Sequence, residues 1–326
     1  MQHYPLLKLL ADGCLHSGTQ LARTLGVSRT AVWKQLQQLN RAGVTVETVR
    51  GRGYRLVAPP DMLDRSRILS GIPSDQGVRV SLEVLGEVAS TNQYLLERES
   101  QVGDYDICLA ERQTRGRGRS GRDWESPFAR NLYLSLSFET EGAVQAIQGV
   151  TLVAGAAVAH ALEGLGVSDV RIKWPNDIWL GERKVAGILS ELQGSIEDRF
   201  RIVIGLGLNV YMSDDEVRID QPWTSLARNG WVPQGGRNAI ACAVVQHLIE
   251  WLDTGVSINS AAFRSFWNAR DALAGRAVTV KGKALAGVAR GIDSSGQLRI
   301  ETASGTEDKV NAGEVSVRPK SCDSAD

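Results

Sequence analysis

The chain of 326 residues is 43% apolar and 23% charged, which is typical of a soluble globular protein with two or three domains. Its four cysteines form no Cys-x-x-Cys pair, so their spacing disfavours a zinc site and a disulfide framework and favours a reducing cytoplasm. The N-terminus lacks a basic segment ahead of an apolar stretch, and the longest apolar run is too short to span a bilayer, so neither secretion nor membrane insertion is indicated.

The net charge of zero hides an uneven distribution of charge along the chain. Residues 1–60 contain eight Lys or Arg against two Asp or Glu, a net of +6, which leaves −6 for the remaining residues. The excess of positive charge in residues 1–60 therefore predicts a polyanionic partner that binds this N-terminal segment alone.

The basic segment predicts three short helices followed by a two-stranded hairpin. Leu6, Leu9 and Leu10 share one face of the first helix, and the second helix runs from the N-cap Ser17 to a stop at Gly26. The third helix has an inner face and an outer face. The inner residues are Val32, Leu36 and Leu39, and the outer residues are Arg29, Thr30, Trp33, Lys34 and Gln37.

Two strands at 44–49 and 53–57 follow the third helix, with Arg52 at the basic tip between them. An exposed Trp beside basic residues, together with a basic wing, is typical of a winged helix-turn-helix that reads DNA. A small helical protein-interaction domain is the alternative, and the charge disfavours it. Residues 1–60 are therefore predicted to form a DNA-binding domain that ends in a Pro-rich linker.

Residues 61–273 alternate helical and strand patterns, which predicts an α+β domain around one mixed sheet. The predicted strands are 78–85, 105–111, 131–138, 170–174, 184–192 and 200–210. A largely apolar helix at 143–165 is expected to pack across the sheet. In residues 274–326, short strands at 277–281, 287–292, 298–302, 309–311 and 315–317 predict a small SH3-like β-barrel.

The segment 113–124 places four arginines among three glycines and ends at Trp124. Glycines let successive backbone N–H groups converge on an anion, and guanidinium groups bind phosphate or carboxylate through paired hydrogen bonds. Arg117, Arg119 and Arg122 are therefore candidate anion ligands in a loop that closes over a site. A flexible basic surface loop is the alternative.

The same loop also has the Gly-x-Gly-x-x-Gly spacing of dinucleotide-binding folds, at Gly116, Gly118 and Gly121. That motif needs a helix directly after the glycines, whereas Pro127 and then an alternating strand follow here. The loop is therefore predicted to join two strands, and the dinucleotide interpretation is rejected.

A second candidate segment is the turn 173–177, Lys-Trp-Pro-Asn-Asp, which precedes Lys184 at the start of a strand. A Lys at the start of an apolar strand can attract the negative charge that develops when a carboxylate reacts with a phosphoryl group. Asn176 and Asp177 are predicted to hold ribose hydroxyls, pyrophosphate or magnesium. A surface Lys beside a tight Pro-Asn-Asp turn is the alternative.

Ser90-Thr91-Asn92 precedes a short helical segment and has two interpretations. It is either an N-cap alone or a polar floor whose hydroxyls and amide bind a small polar ligand group. The residues themselves leave both open.

Taken in chain order, these motifs resemble those of biotin–protein ligases. They are Ser90-Thr91-Asn92, the loop 113–124, the turn 173–177, Lys184 within Arg-Lys-Val-Ala-Gly-Ile-Leu, and Gly205-Leu206-Gly207-Leu208-Asn209. With its winged helix, the chain is similar over nearly its whole length to the bifunctional bacterial form, the biotin operon repressors. Glu125 departs from this pattern, because an aromatic residue follows the Trp in a bacterial member.

The resemblance implies an enzyme that condenses biotin with ATP, with Mg²⁺ on the ATP phosphates, to biotinyl-5′-adenylate and pyrophosphate. The enzyme then transfers biotin to a lysine of a biotin carboxyl carrier protein, an acetyl-CoA carboxylase subunit, and no covalent enzyme nucleophile is required. The resemblance also implies a cytoplasmic repressor of biotin synthesis genes that binds operator DNA and forms a homodimer when the adenylate is bound.

The family pattern also implies the roles of single residues. The biotin site comprises Ser90, Thr91, Asn92, Gln113, Arg117, Gly118, Arg119 and Lys184. The nucleotide site comprises Arg119, Arg122, Trp124, Asn176, Asp177, Asn209, Trp223 and Arg318. Catalysis is expected of Lys184, Arg119 and Arg122. DNA reading is expected of the outer face of the third helix and the basic tip of the hairpin, at Arg29, Thr30, Trp33, Lys34 and Arg52.

Two rival functions remain. A lipoate or octanoate ligase of related fold needs a long, narrow acyl tunnel in place of a pocket for the ureido group, and the arginine-rich loop favours biotin. A transcription factor that senses a small molecule without turnover would release no pyrophosphate from biotin and ATP.

Overall fold

The computed structural model describes residues 4–41, 44–72, 80–98, 104–141, 146–196, 199–231, 234–254, 257–312 and 316–319. An N-terminal helical module with a hairpin precedes a seven-stranded sheet with flanking helices, and a five-stranded sheet follows. This arrangement confirms the predicted α+β fold class. Among the described residues, no helix has both the length and the apolarity that crossing a bilayer requires.

The N-terminal module has the predicted helix order and hairpin. Its elements are α1 (Tyr4–Leu10), α2 (Gly18–Leu25), α3 (Arg29–Arg41), β1 (Val46–Val49) and β2 (Gly53–Leu56). The Ser17 hydroxyl accepts a hydrogen bond from the Gln20 amide, and Gly26 ends α2 in a left-handed conformation. The prediction for α1 left out Leu7, which is buried with Leu6 and Leu10, whereas Leu9 packs partly buried against the same core.

Helix α3 has the two faces that its sequence predicts. Val32, Leu36 and Leu39 are buried in the module's core. The predicted outer residues Arg29, Thr30, Trp33, Lys34 and Gln37 are all exposed, as is Arg52 between the two strands. The Trp33 side chain is 52% exposed, which is unusual for an indole unless it contacts a partner.

The central sheet has the strand order β3-β4-β5-β9-β8-β7-β6. Its strands are β3 (Val80–Leu85), β4 (Tyr105–Ala110), β5 (Leu132–Glu141), β6 (Val170–Lys173), β7 (Asp177–Leu180), β8 (Arg183–Ile196) and β9 (Arg199–Leu208). Only the pair β3 and β4 is parallel among these neighbours, so the sheet is mixed, as predicted. The sequence analysis missed β7, because a four-residue strand directly after a Pro-Asn turn carries little periodicity.

Helices cover the central sheet. They are α4 (Arg65–Ser70), α5 (Thr91–Leu96), α6 (Ala146–Gly164), α7 (Gly236–Asp253) and α8 (Ala261–Arg270). Helix α6 packs on β6, β7, β8 and β9 and also contacts α7 and α8, so its middle, residues 152–159, is buried throughout. This agrees with the predicted apolar helix, of which residues 143–145 lie outside the described residues.

The C-terminal sheet is antiparallel throughout and is consistent with the predicted SH3-like domain. Its strands are β10 (Ala277–Lys281), β11 (Leu285–Ile292), β12 (Leu298–Glu301), β13 (Glu307–Val310) and β14 (Ser316–Pro319), in the order β13-β12-β11-β10-β14. The fully buried Trp174 of the central domain donates from Nε1 to the Gly296 carbonyl at 3.0 Å. This contact fixes the C-terminal sheet beside the turn 173–177.

A buried ion pair fixes the linker that follows the winged helix. The Arg237 guanidinium of α7 lies 2.6 Å from the Glu111 carboxylate at the end of β4, and both side chains are 0% exposed. Arg237 also donates to the Asp61 carbonyl, and the Leu63 amide donates to Glu111 at 2.7 Å. Tyr4 of α1 lies beside this pair, and burial together with the Glu111 carboxylate raises the pKa of Tyr4 to about 12. The linker that follows the N-terminal module is therefore held to the central domain by buried polar contacts.

Candidate active site

An open cavity lies between the arginine-rich loop 113–124, hereafter the arginine loop, and the strands β8 and β9. The predicted site residues that line it are Ser90, Thr91, Asn92, Gln113, Arg117, Gly118, Arg119, Arg122, Trp124, Asn176, Asp177 and Lys184. These residues come from segments that lie up to about a hundred positions apart in the chain. The fold therefore brings most of the predicted set to one place.

The arginine loop forms a small hairpin of its own. The Trp124 amide donates to the Gly116 carbonyl at 2.9 Å, and the Gly118 amide donates to the Arg122 carbonyl at 2.7 Å. A single 3₁₀ turn at Arg119–Gly121 closes the hairpin. The loop connects β4 to β5, as predicted, and the segment after its glycines continues into a strand. The rejection of a dinucleotide fingerprint is therefore correct.

The segment Ser90-Thr91-Asn92 is both an N-cap and a polar floor. The Ser90 hydroxyl caps α5 by accepting from the Gln93 amide at 3.5 Å. The Thr91 amide and hydroxyl both donate to the Gln113 side-chain carbonyl, at 2.9 and 3.1 Å. The N-cap is confirmed. It places these side chains at the wall of the cavity, so binding of a polar ligand group by them stays a prediction.

The Asn92 amide is held on all sides at the floor of the cavity. Its nitrogen donates to the Leu189 carbonyl at 3.1 Å and to the Glu191 carboxylate at 2.7 Å, and its oxygen lies 2.6 Å from the Ser135 hydroxyl. Asn92 is 4% exposed. A Cβ atom on Gly205 would come within 2.1 Å of the Asn92 oxygen, so β9 has to carry a glycine there.

The cationic side of the cavity centres on Lys184. Its ammonium nitrogen lies 2.7 Å from the Asp177 carboxylate and 5.2 Å from the centre of the Trp124 ring. An ammonium group has three N–H donors, so the Asp177 contact leaves donors for a ligand carboxylate or phosphate. Lys173 contacts the same carboxylate at 3.8 Å. The turn 173–177 thus positions Lys184 across the strands.

Arg119 links the arginine loop to two other parts of the chain. Its guanidinium donates to the Asn176 side-chain oxygen at 3.1 Å and also to the Ala312 carbonyl of the C-terminal domain. Burial lowers the pKa of Arg119, and the nearby Asp177 carboxylate opposes this effect. Arg122 is exposed and donates to the Arg119 carbonyl at 3.3 Å.

Two of the predicted nucleotide residues whose side chains the structure describes, Asn209 and Trp223, do not line the cavity. Asn209 is 3% exposed, and its amide donates to the Thr224 carbonyl at 2.9 Å. Trp223 is 7% exposed and its ring lies 4.5 Å from the Arg228 guanidinium carbon. Its segment pairs with β8 beside Lys184, which places it next to the site. The side chain of Arg318 lies outside the described residues.

The site residues named from the sequence leave out eight residues that line the cavity. Six of them are apolar or glycine, namely Gly187, Ile188, Leu189, Gly205, Leu206 and Gly207, and two are polar, namely Asp123 and Gln221. The period-two alternation of Gly205 and Gly207 on β9 was a usable signal, because it places both glycines on one face of the sheet. The Trp124 ring lies on that face, and a Cβ atom on Gly207 would come within 2.2 Å of it.

Comparison with known protein families finds three matches along the chain. Residues 85–209 match the biotin/lipoate A/B protein ligase family. Residues 5–55 match a helix-turn-helix domain, and residues 274–318 match the C-terminal domain of biotin protein ligases.

Individual relatives agree with these matches. The chain is 41% identical over 316 residues to the bifunctional ligase/repressor BirA of Escherichia coli strain K12, covering 96% of each chain. It is 34% identical over 247 residues to the biotin–[acetyl-CoA-carboxylase] ligase of Mycobacterium tuberculosis, covering 72% of this chain and 88% of the relative. The biotin protein ligase of Aquifex aeolicus, solved with biotin and ATP, superimposes with a TM-score of 0.60 at 28% identity and covers 74% of this chain and 99% of its own.

Proposed function

The chain belongs to the biotin/lipoate A/B protein ligase family, among its bifunctional ligase/repressor members, and we propose that its cavity makes biotinyl-5′-adenylate from biotin and ATP. Biotin then passes from the adenylate to a lysine of a biotin carboxyl carrier protein. The observation that carries the proposal is the convergence of Lys184, Arg119 and a polar floor on one cavity.

The charges around the cavity suit this reaction. A biotin carboxylate oxygen attacks the α-phosphorus of ATP and pyrophosphate leaves, so two anionic groups have to approach each other. Lys184 and Arg119 offset that repulsion, and their attraction grows as negative charge accumulates in the transition state. In the second step the carrier lysine's amine attacks the acyl carbon, and AMP leaves. The arginine loop shelters the mixed anhydride from water between the two steps.

The neutral end of the cavity suits the ureido group of biotin. Thr91, Asn92 and Gln113 supply hydroxyl and amide groups that accept and donate hydrogen bonds within a small volume. These groups already bond to one another and to Ser135. The accepting capacity that remains on their oxygens suits the ureido N–H groups, whereas a lipoate or octanoate chain has no polar head group that could use it. This floor favours biotin over the rival acyl substrates.

We place the magnesium ion on the ATP phosphates. The described residues contain no group of three His, Cys, Asp or Glu that could hold a metal by themselves. Asp177 offers one carboxylate to the cavity, and Lys184 already lies against it. Mg²⁺ commonly binds through one or two carboxylates, water and substrate phosphates, and this donor set fits that pattern. The ion supplies charge neutralisation on the phosphates when it is bound.

The winged helix extends the proposal to operator DNA. Residues 1–60 form the DNA-binding domain, 61–273 the catalytic domain and 274–326 the C-terminal domain. The exposed, basic outer face of α3 supports contact with a duplex, and we assign base and phosphate contacts to Arg29, Thr30, Trp33, Lys34 and Arg52. ATP as a substrate supports action in the cytoplasm.

Homodimer formation driven by the adenylate completes the proposal, since two half-sites gain affinity through effective concentration. Sedimentation with and without biotin plus ATP tests this, and a monomer in both conditions at micromolar protein contradicts it.

A single variant tests the catalytic proposal. Lys184→Ala removes the ammonium group that faces the reacting anions, so we expect pyrophosphate release from biotin and ATP to be abolished. Binding of operator DNA by the ligand-free protein should stay close to wild type, because the variant leaves α3 unchanged. The proposed reaction is contradicted if Lys184→Ala releases pyrophosphate at the wild-type rate. It is also contradicted if the wild-type protein releases no pyrophosphate from biotin and ATP.

A further inference from the structure

Glu191 is an acidic residue that touches two parts of the site and that no motif singled out. It lies on β8, and its carboxylate contacts the Asn92 amide of the floor at 2.7 Å. The other carboxylate oxygen lies 3.2 Å from an Arg117 guanidinium nitrogen in the arginine loop. We propose that Glu191 is a positioning residue, which orients the floor of the biotin site and holds the arginine loop against it. This inference rests on the proposed binding of biotin in the cavity.

The contact with Asn92 fixes which way the amide faces. The two groups around the amide nitrogen, the Leu189 carbonyl and the Glu191 carboxylate, are both acceptors, so only the NH₂ end of Asn92 can face them. The oxygen end consequently faces the Ser135 hydroxyl. A ligand that meets Asn92 therefore meets a single orientation of its amide, which lowers the entropic cost of binding.

The contact with Arg117 holds the loop in its closed form. Arg117 pairs across the loop hairpin with Asp123, so its position is coupled to the rest of the hairpin. The Arg117 side chain is 45% exposed, and the Glu191 side chain is 25% exposed. Ion pairs at such exposure are screened by water and contribute modestly, so the expected effect on loop closure is a few-fold change.

Glu191 lies apart from the cationic group that faces the reacting atoms. The Lys184 ammonium nitrogen lies 3.0 Å from the point where a Cβ atom on Gly187 would stand, and Gly187 is four residues from Glu191, about 13 Å along β8. Its removal should therefore change biotin affinity and adenylate retention and leave the rate of the chemical step at saturating biotin unchanged.

The experiment compares Glu191→Gln and Glu191→Ala with the wild-type protein. The Gln side chain still accepts from Asn92 but loses its charge, so we expect adenylate dissociation to rise about two- to five-fold and the KM for biotin to change little. The Ala variant also leaves a buried amide hydrogen without its acceptor, so the KM for biotin should rise about ten-fold or more. The kcat for pyrophosphate release should stay within about two-fold of wild type for both variants.

A matched control is Glu163→Gln. Glu163 pairs with Arg270 at 2.7 Å with a side-chain exposure of 29%, close to that of Glu191, but it connects α6 to α8 away from the cavity. We expect this control to retain the wild-type KM and adenylate retention. Equal effects from Glu163→Gln and Glu191→Gln would show a general loss of stability and would overturn the inference.

Two further measurements separate the roles of the contacts. In an Arg117→Ala background, Glu191→Gln should no longer change adenylate dissociation, since its partner is gone. Trypsin should cut the arginine loop faster in ligand-free Glu191→Gln than in wild type, with the cut sites located by mass spectrometry. The inference is contradicted if Glu191→Gln still accelerates adenylate dissociation to the same extent in the Arg117→Ala background. It is also contradicted if trypsin cuts Glu191→Gln at the wild-type rate and Glu191→Ala keeps the wild-type KM for biotin.

Failure of this inference differs from failure of the proposed function. If the Glu191 variants behave as wild type while Lys184→Ala abolishes pyrophosphate release, the positioning role alone is wrong. If the wild-type protein releases no pyrophosphate from biotin and ATP, the proposed reaction is wrong, and the trypsin comparison still reports whether Glu191 holds the loop.

Discussion

Arg119 carries a positive charge into a partly buried position where three parts of the chain meet. Its guanidinium contacts the Asn176 side chain of the turn 173–177 and the Ala312 carbonyl of the C-terminal domain, while its backbone belongs to the arginine loop. A charged group in such a place is costly unless its donors are used. The N–H donors of the Arg119 guanidinium that these two contacts leave unused can bind an anionic ligand. A phosphoryl oxygen of the adenylate is such a ligand group.

The first prediction concerns retention of the adenylate. Arg119→Gly removes charge-assisted hydrogen bonds of about 1.5 to 3 kcal/mol, so adenylate dissociation should accelerate roughly ten- to a hundred-fold. Labelled adenylate remaining with the protein after gel filtration measures this. Arg115→Gly is the control. Arg115 is exposed on the same loop, and in both variants glycine replaces an arginine. Equal loss in both variants would indicate loop flexibility rather than the Arg119 charge.

At the scale of single elements, strand β9 provides the surface on which the indole of Trp124 packs. Successive side chains of a strand point to opposite faces, so Gly205 and Gly207 leave one face of β9 bare. Asn92 occupies the space over Gly205, and the Trp124 ring occupies the space over Gly207. The apolar wall of the cavity thus depends on missing side chains as much as on those present.

The second prediction tests this wall. Gly207→Ala places a methyl group where the Trp124 ring lies, and overpacking of this kind costs about 1 to 3 kcal/mol. The kcat/KM for biotin should fall by about ten-fold or more. Gly155→Ala is the matched control, since a Cβ there meets Ile172 and Ile188 at 3.6 and 3.8 Å, in ordinary contact. The wall is not required if Gly207→Ala retains the wild-type kcat/KM.

At the scale of the whole molecule, the Arg237–Glu111 pair joins the winged helix, the linker and the catalytic domain. Glu111 lies two residues before Gln113, and Arg237 also donates to the carbonyl of Asn131, which directly precedes β5, the strand that follows the arginine loop. The linker carbonyl of Asp61 accepts from the same guanidinium. The base of the loop and the attachment of the DNA-binding module therefore share one buried group.

The third prediction concerns stability. Arg237→Ala leaves the buried Glu111 charge without its partner, so we expect a loss of about 3 to 5 kcal/mol in the free energy of unfolding. Urea-induced unfolding measures the change. Arg290→Ala breaks the Arg290–Glu301 pair, whose side chains are 47% and 45% exposed, and should cost less than about 1 kcal/mol. Similar losses in the two variants would contradict a special role for the buried pair.

Local patterns in the sequence determined the secondary structure and most of the polar site residues. The cap at Ser17, the two faces of α3 and the alternation along β5 each depend on neighbours within a few residues, so they are readable without the fold. The arginine loop and Lys184 carry unusual chemistry in short segments, which made them recognisable as site residues.

Only the tertiary structure decided which distant groups meet. Glu191 lies in an ordinary strand pattern. Its contacts with Asn92 and Arg117 form only because the fold packs β8 against α5 and the arginine loop. The Arg237–Glu111 pair likewise joins residues 126 positions apart, and no local pattern specifies that separation. The physical reason is that burial and long-range hydrogen bonding depend on the packing of whole elements, whereas capping and periodicity are settled within one or two turns of chain.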